Sequence, residues 1–186
     1  ADPAGRRLTE ESFPWMREEV IENIAKGYGV PEKTLKALLG RKSQIDPAYA
    51  PKHKDGGWPV ILFTSGIWGC CEMYTQFCRQ LASNGAVVVA IEHEDGSGVY
   101  AINGSTGMPI KYISPPENPN HPEFRHPFLE QRVEELGASI AALAAAAAGK
   151  LDEAERAEKP EDSAPSQAVA AALAHGDAAR LLLVGH

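Results

Sequence analysis

Three short apolar runs organise the chain: Pro59-Val60-Ile61-Leu62-Phe63, Ala86-Val87-Val88-Val89-Ala90-Ile91 and Leu181-Leu182-Leu183-Val184. They are rich in branched residues and show no polar alternation. That pattern predicts strands at 59–63, 86–91 and 180–184, buried on both faces of a parallel sheet. Between the first two lies a segment from Glu72 to Ser83 in which Met73, Phe77 and Leu81 fall four apart, closed by Asn84-Gly85. Strand, helix and strand at this spacing form a βαβ unit.

The flanks read differently. Residues 1–57 form a helical preface. Val20, Ile21 and Ile24 recur at helical spacing behind the acidic Glu10, Glu11, Glu18 and Glu19, and Gly27 and Gly29 end the segment. Pro31 suits the first turn of a second helix carrying Leu35, Leu38 and Leu39, closed by Gly40. The stretch through Pro47, Pro51 and Asp55-Gly56-Gly57 reads as loop and turn. Residues 58–186 form the second unit. Within it, 94–122 is a long Gly/Pro/Asn/Ser-rich loop, of the length usually kept for function. A long helix is predicted from about Pro127 to Lys150, on the 3–4 spacing of Leu129, Val133, Leu136, Ile140 and Leu143. A charged excursion at 151–165, a helix at 166–174 and a turn at His175-Gly176-Asp177 lead into the last strand.

Composition narrows the class. Among 186 residues, 44% are hydrophobic and 23% charged, which suits a globular domain with a buried core. The net charge of −7 argues against a nucleic-acid partner, which calls for basic patches. The longest apolar helical window, Ile140 to Ala148, is mostly alanine and far short of the ~20 residues that span a bilayer. No signal-peptide pattern opens the sequence, and the compartment stays open. Cys70, Cys71 and Cys78 have no disulfide spacing and read as buried free thiols.

Candidate chemistry gathers at strand ends. A buried strand followed by Gly185-His186 supplies the first two positions of G-x-S-x-G, which places a serine on a strained strand-to-helix turn. The serine is expected immediately after His186. Taken alone, Gly-His is equally an ordinary βα turn. The loop Thr64-Ser65-Gly66-Ile67-Trp68-Gly69 follows the first strand, where this architecture takes a backbone N–H for an oxyanion, although a glycine-containing turn there has plain structural uses too. Glu92, His93 and Asp95 sit at the end of the second strand. They are weighed as metal ligands and read instead as a structural network, because adjacent residues of an extended chain point opposite ways and no paired ligand motif is present. His121 and His126 are expected to be solvated in a proline-rich loop. Trp15 and Met16 are candidates for lipid contact, with packing against the core the expected fate.

Together these segments resemble one family. Trp58 to Gly69 is similar to the first-strand and oxyanion segment of platelet-activating-factor acetylhydrolases, in which a hydrophobic run is followed by F-S-H-G-L-G. Tyr74, the run Gln80-Leu81-Ala82-Ser83-Asn84-Gly85, and Ala90-Ile91-Glu92-His93-Glu94-Asp95-Gly96-Ser97 resemble the family's L-A-S-H-G and E-H-R-D-G-S segments. Leu129-Glu130-Gln131 and the terminal strand with Gly-His appear in the same order. The resemblance covers residues 58 to 186 and implies an α/β-hydrolase fold: a mostly parallel sheet with flanking helices, of which this chain holds the N-terminal half. It implies that the Ile67 amide is an oxyanion donor, and that nucleophile, acid and base lie beyond His186. The 186 residues alone are then expected to be inert. Three departures stand out: Ser65 for the loop histidine, Trp68 for a small glycine, and Glu94 for a basic residue.

The implied activity is that of a serine esterase acting on a lipid ester, the short sn-2 acyl group of a phospholipid, with no metal or organic cofactor. The substrate sits at a lipid surface, and transient contact with that surface is expected. Alternatives are another carboxylesterase, dienelactone-hydrolase-like or cutinase-like, or a catalytically dead hydrolase-fold binding protein. The residue following His186 separates the enzymes from the dead protein.

Overall fold

The computed structural model describes residues 12–44, 57–117, 121–147 and 176–186. Expectations for 151–165 and 166–174 lie outside the described residues. The elements are β1 (Ser12–Pro14), α1 (Glu18–Tyr28), α2 (Glu32–Leu39), β2 (Lys42–Gln44), β3 (Trp58–Thr64), a 3-10 turn (Cys71–Tyr74), α3 (Thr75–Ser83), β4 (Val87–Ile91), β5 (Tyr100–Ile102), β6 (Pro109–Lys111), α4 (His121–Ala147) and β7 (Gly176–Gly185).

The three apolar runs form one parallel sheet of order β4-β3-β7. β3 is central, and Val60 to Phe63 are all buried. Successive side chains of a strand alternate faces. Val60 and Leu62 accordingly pack with Leu136 and Leu143 of α4, whereas Phe63 packs on the other face against Tyr74 and Phe77, with ring centroids 4.8 and 5.5 Å apart. Each such buried side chain contributes about 1.5–3 kcal/mol. The sheet is thus covered on both faces by helices. The outer strands depart from the expected two-sided burial: β4 is half-buried, and Leu182 and Leu183 of β7 are 56% and 55% exposed. Both strands are edges of the described sheet. β7 also starts earlier than expected, at Gly176. It bulges opposite Pro59/Val60, where Asp177 accepts hydrogen bonds from the Ala179 amide and the Arg180 side chain.

The preface holds more than helices, because β1 and β2 pair antiparallel around α1 and α2. Val20, Ile21 and Ile24 are buried as their spacing predicts. They share a core with Met16, Cys70, Val99 and Tyr100, so α1 packs directly on loops of the second unit. Gly27 does not end α1. The helix runs on to Tyr28, and Gly29 at φ 64° is its left-handed cap. A glycine inside a helix costs about 1 kcal/mol relative to alanine, so Gly27 calls for a packing reason.

Two further expectations need correction. The 94–122 loop contains the antiparallel β5–β6 hairpin. The long helix begins at His121 rather than near Pro127, which it carries inside its second turn. Proline removes one backbone donor there, which the remaining turns of a 27-residue helix tolerate. His126 is therefore helical. It is exposed as expected and faces Glu130, one turn on, at 3.3 Å.

Candidate active site

Register brings the site together. Thr64 of β3 pairs with Ile91 of β4 and with Gly185 of β7. The three strands end level, and the segments that follow them share the carboxyl edge of the sheet, where open α/β sheets place their ligands. The contact between the first and third of these segments is direct. The His186 amide donates to the Thr64 carbonyl at 3.3 Å. A Cβ placed on Gly66 would lie 2.9 Å from His186 Nδ1 and 3.0 Å from its carbonyl oxygen, so only glycine lets the loop approach this closely. Tyr74 Oη lies 2.9 Å from His186 Nδ1.

Residues 66–69 form a tight turn closed by the Gly69 amide donating to the Gly66 carbonyl at 3.1 Å. Ile67 and Trp68 are its central residues. Trp68 has φ 62°, a left-handed conformation that costs a bulky residue about 1–3 kcal/mol and that turns usually give to glycine. Its amide donates to the Ser97 carbonyl at 2.7 Å. The Ile67 amide has no acceptor among the described residues, and the residue is 60% exposed. A free N–H beside the end of β7 is a donor available to a ligand.

The second segment, Glu92 to Ser97, is held by charges from three directions. Buried His93 lies 2.5 Å from Glu135 Oε2 through Nδ1, and 2.5 Å from Thr64 Oγ1 through Nε2. A proton on Nδ1 serves the carboxylate and leaves Nε2 to accept from the hydroxyl. Glu135 also accepts from the Glu94 amide at 3.1 Å. Asp95 accepts from the Ser97 amide and hydroxyl and from Arg132 Nε at 2.8 Å. Burial alone would raise the Asp95 carboxyl, but these hydrogen bonds and the guanidinium hold it below the usual range. Arg132 completes the clamp through Nη1 to the Ser65 carbonyl at 2.6 Å and Nη2 to Ser97 Oγ at 2.6 Å. Glu94, at the family's basic position, accepts from Asn103 and Gly104 and braces the β5–β6 turn.

Glu92 faces the opposite way. It and Glu72 share the guanidinium of Arg17, from the start of α1. Burial dominates at Glu92 and raises its carboxyl, whereas at Glu72 burial is outweighed by the hydrogen bond and charge of Arg17 together with further hydrogen bonds, and the carboxyl is lowered. Glu92, His93 and Asp95 thus have three separate sets of partners and act as a structural network. Among the described residues, no three metal-ligating side chains converge.

The thiols are not poised as thiolates. Burial, then the nearby Glu72 and Glu92 carboxylates, push Cys70 up to about 12, and burial raises Cys71 and Cys78 as well. Such thiols stay protonated near neutral pH. Only Cys70 is fully buried, and Cys71 and Cys78 are half-buried, less enclosed than expected. Met16 is buried in the α1 core, which fits packing rather than lipid contact. A groove of about 740 Å³ lies beside the second segment, between the end of β4 and α4. Glu92, Glu94, Glu130, Glu134 and Glu135 among its lining residues make it a poor seat for an anionic lipid head. Arg132 and Glu135, which tie the site to α4, escaped the sequence reading. The available signal was their i, i+3 spacing directly after Leu129-Glu130-Gln131.

Level parallel strands with helices on both faces, and a tight turn meeting the end of a neighbouring strand, define an α/β-hydrolase-type fold. The family model described as platelet-activating factor acetylhydrolase, isoform II, matches residues 16–157, and the chain belongs to that family. It is also similar to a Schizosaccharomyces pombe protein named "Putative phospholipase A2", at 35% identity over 69 residues. That match spans 37% of this chain and 13% of the relative. The family match includes α1 and ends before β7. Among the described residues no helix is long and apolar enough to cross a membrane.

Proposed function

We propose that this chain forms part of a serine esterase that hydrolyses a lipid ester, the short sn-2 acyl group of a phospholipid resembling platelet-activating factor. The nucleophile in this reading is a serine directly following His186, on the turn that leaves β7. Its oxygen attacks the ester carbonyl while a histidine, oriented by an acid, takes the proton; both lie outside these residues. The tetrahedral oxyanion accepts from the Ile67 N–H and from the amide of the residue after the serine. The alcohol leaves with the histidine's proton, and water hydrolyses the acyl-enzyme. No metal or organic cofactor takes part, and nucleic acid is no partner. The lipid surface that presents the substrate is touched transiently, and buried Met16 does not supply that contact.

The observation that carries this reading is the packing of Gly66 against His186, beside an Ile67 amide without an acceptor among the described residues. Trp68, in place of a small residue, favours one second reading, a carboxylesterase of the same fold with a different acyl pocket. A fluorophosphonate that labels active serines tests both. Peptide mapping of the labelled full-length protein should find the adduct on the residue following His186. Phospholipids with short sn-2 chains should protect it better than simple water-soluble esters. An adduct elsewhere, or none on an active protein, contradicts the assignment. Better protection by the simple esters favours the second reading.

A further inference from the structure

The turn that carries Ile67 does not hold its shape unaided. Trp68 sits in the left-handed region, and its ring is seated on α1. A Cβ added at Gly27 would fall inside the van der Waals envelope of Trp68 Cζ2 and 2.8 Å from Cη2. Tyr28 meets the same ring edge-on at 4.9 Å, and Tyr112 closes from the hairpin side at 6.5 Å. Gly27 is thus a slot in the last turn of α1, with an aromatic wall beside it. α1 is itself fixed at its other end, where Arg17 bonds Glu72 and Glu92. The strained residue of the turn is immobilised by a helix that begins some fifty residues earlier in the chain.

We propose that Gly27 is a positioning residue for the oxyanion donor: the slot it leaves in α1 seats the Trp68 ring, and that seat holds the Ile67 amide in line with the end of β7. The proposal rests on the reading of Ile67 given above. Any side chain at 27 must push the ring out, and the ring is joined to the turn through a backbone held in the small left-handed region, from which it would relax toward the broader regions at negative φ. A displacement of about 1 Å at a catalytic group costs on the order of 10²-fold in rate. Helix propensity alone would make Gly27→Ala benign or favourable, so a loss of rate there has the opposite sign from the background expectation.

The test is a double-mutant cycle in the full-length enzyme, with kcat and KM for a short-chain ester and folding checked by circular dichroism. Gly27→Ala should lower kcat about 10²-fold and leave KM within a few-fold. In a Trp68→Gly background, where no ring needs a seat and the turn accepts the left-handed conformation, adding Gly27→Ala should change kcat less than about 3-fold. A Gly27→Ala enzyme with wild-type kcat overturns the proposal. So does an equal loss in both backgrounds, which would mark a general defect of α1. If Gly27→Ala does not fold, Tyr28→Ala removes the neighbouring wall instead. It should lower kcat in the wild-type background only, and an unchanged or background-independent kcat overturns the proposal equally. Ile67→Pro run in parallel separates the two layers. A large loss there with a silent Gly27→Ala sinks the seat and keeps the oxyanion hole, whereas near wild-type kcat in Ile67→Pro removes both.

Discussion

The segments that leave the sheet after Thr64 and after Ile91 start level with each other and are built in opposite ways. Residues 92–97 are dense in charge, and their acidic and histidine side chains are engaged: His93 by Glu135 and Thr64, Asp95 by Ser97 and Arg132, Glu92 by Arg17. Residues 65–69 hold no charge, expose Ile67, and leave its amide without an acceptor among the described residues. The more polar segment is the scaffold, and in the proposed reading the plainer one carries the chemistry. Perturbed carboxylates at a strand end would ordinarily draw attention as catalytic groups. Here burial raises Glu92, while at Asp95 burial is outweighed by hydrogen bonds from Ser97 and Arg132, which lower it. These partners fix the loop, and the Arg132 bond to the Ser65 carbonyl fixes the neighbouring turn as well.

The strongest way to break this contrast is to remove Arg132. Arg132→Ala leaves Asp95 buried without its cation and frees the Ser65 carbonyl. Removing one partner of a buried pair costs about 3–5 kcal/mol. Urea unfolding should show a loss of that size, and a loss below about 1 kcal/mol would mean that the clamp is ornamental.

A smaller effect sharpens the contrast within the scaffold itself, because Asp95 and Glu92 respond to pH with opposite signs. The folded Asp95 carboxyl lies below its ordinary 3.8. Its contribution to stability is present above that value and is lost as pH falls through the folded pKa. The folded Glu92 carboxyl lies above its ordinary 4.5. Its contribution is fully present below that value and is lost as pH rises through the folded pKa. The deficit of Asp95→Asn relative to wild type should therefore be largest at neutral pH and shrink in acid. Glu92→Gln should compare more favourably with wild type at neutral pH than near pH 4. Melting curves of the two variants from neutral pH to well below 3.8 check both signs, and parallel pH profiles would contradict the assignment.

Much of the architecture was legible because burial writes itself as pattern. The runs at β3, β4 and β7 and the Val20, Ile21, Ile24 stripe carry enough apolar surface to declare their elements. The β5–β6 hairpin did not, since strands of three residues in a Gly/Asn-rich stretch offer no period to detect. Pro127 misplaced the start of α4, because a proline is read as a boundary and here lies inside. The site was half legible. Ile67 was reached by resemblance, and Glu92, His93 and Asp95 were read as a network. Arg132 and Glu135 were not found, because the loop residues they hold lie 35 or more residues away in sequence and no local rule joins them. The Gly27 seat was hidden in the same way: two glycines near a helix end look alike until one of them is found facing an indole.

The central claim is that the 66–69 turn donates the Ile67 N–H to an oxyanion, and Ile67→Pro tests it most directly. Ile67 occupies the first central position of the turn, where proline is well accommodated, so the variant removes the donor with little change of shape. In the full-length enzyme, with folding verified, kcat for a short-chain ester should fall about 10²–10³-fold, or about 3–4 kcal/mol of transition-state stabilisation. A correctly folded Ile67→Pro enzyme that keeps near wild-type kcat would show that this turn is not the oxyanion hole.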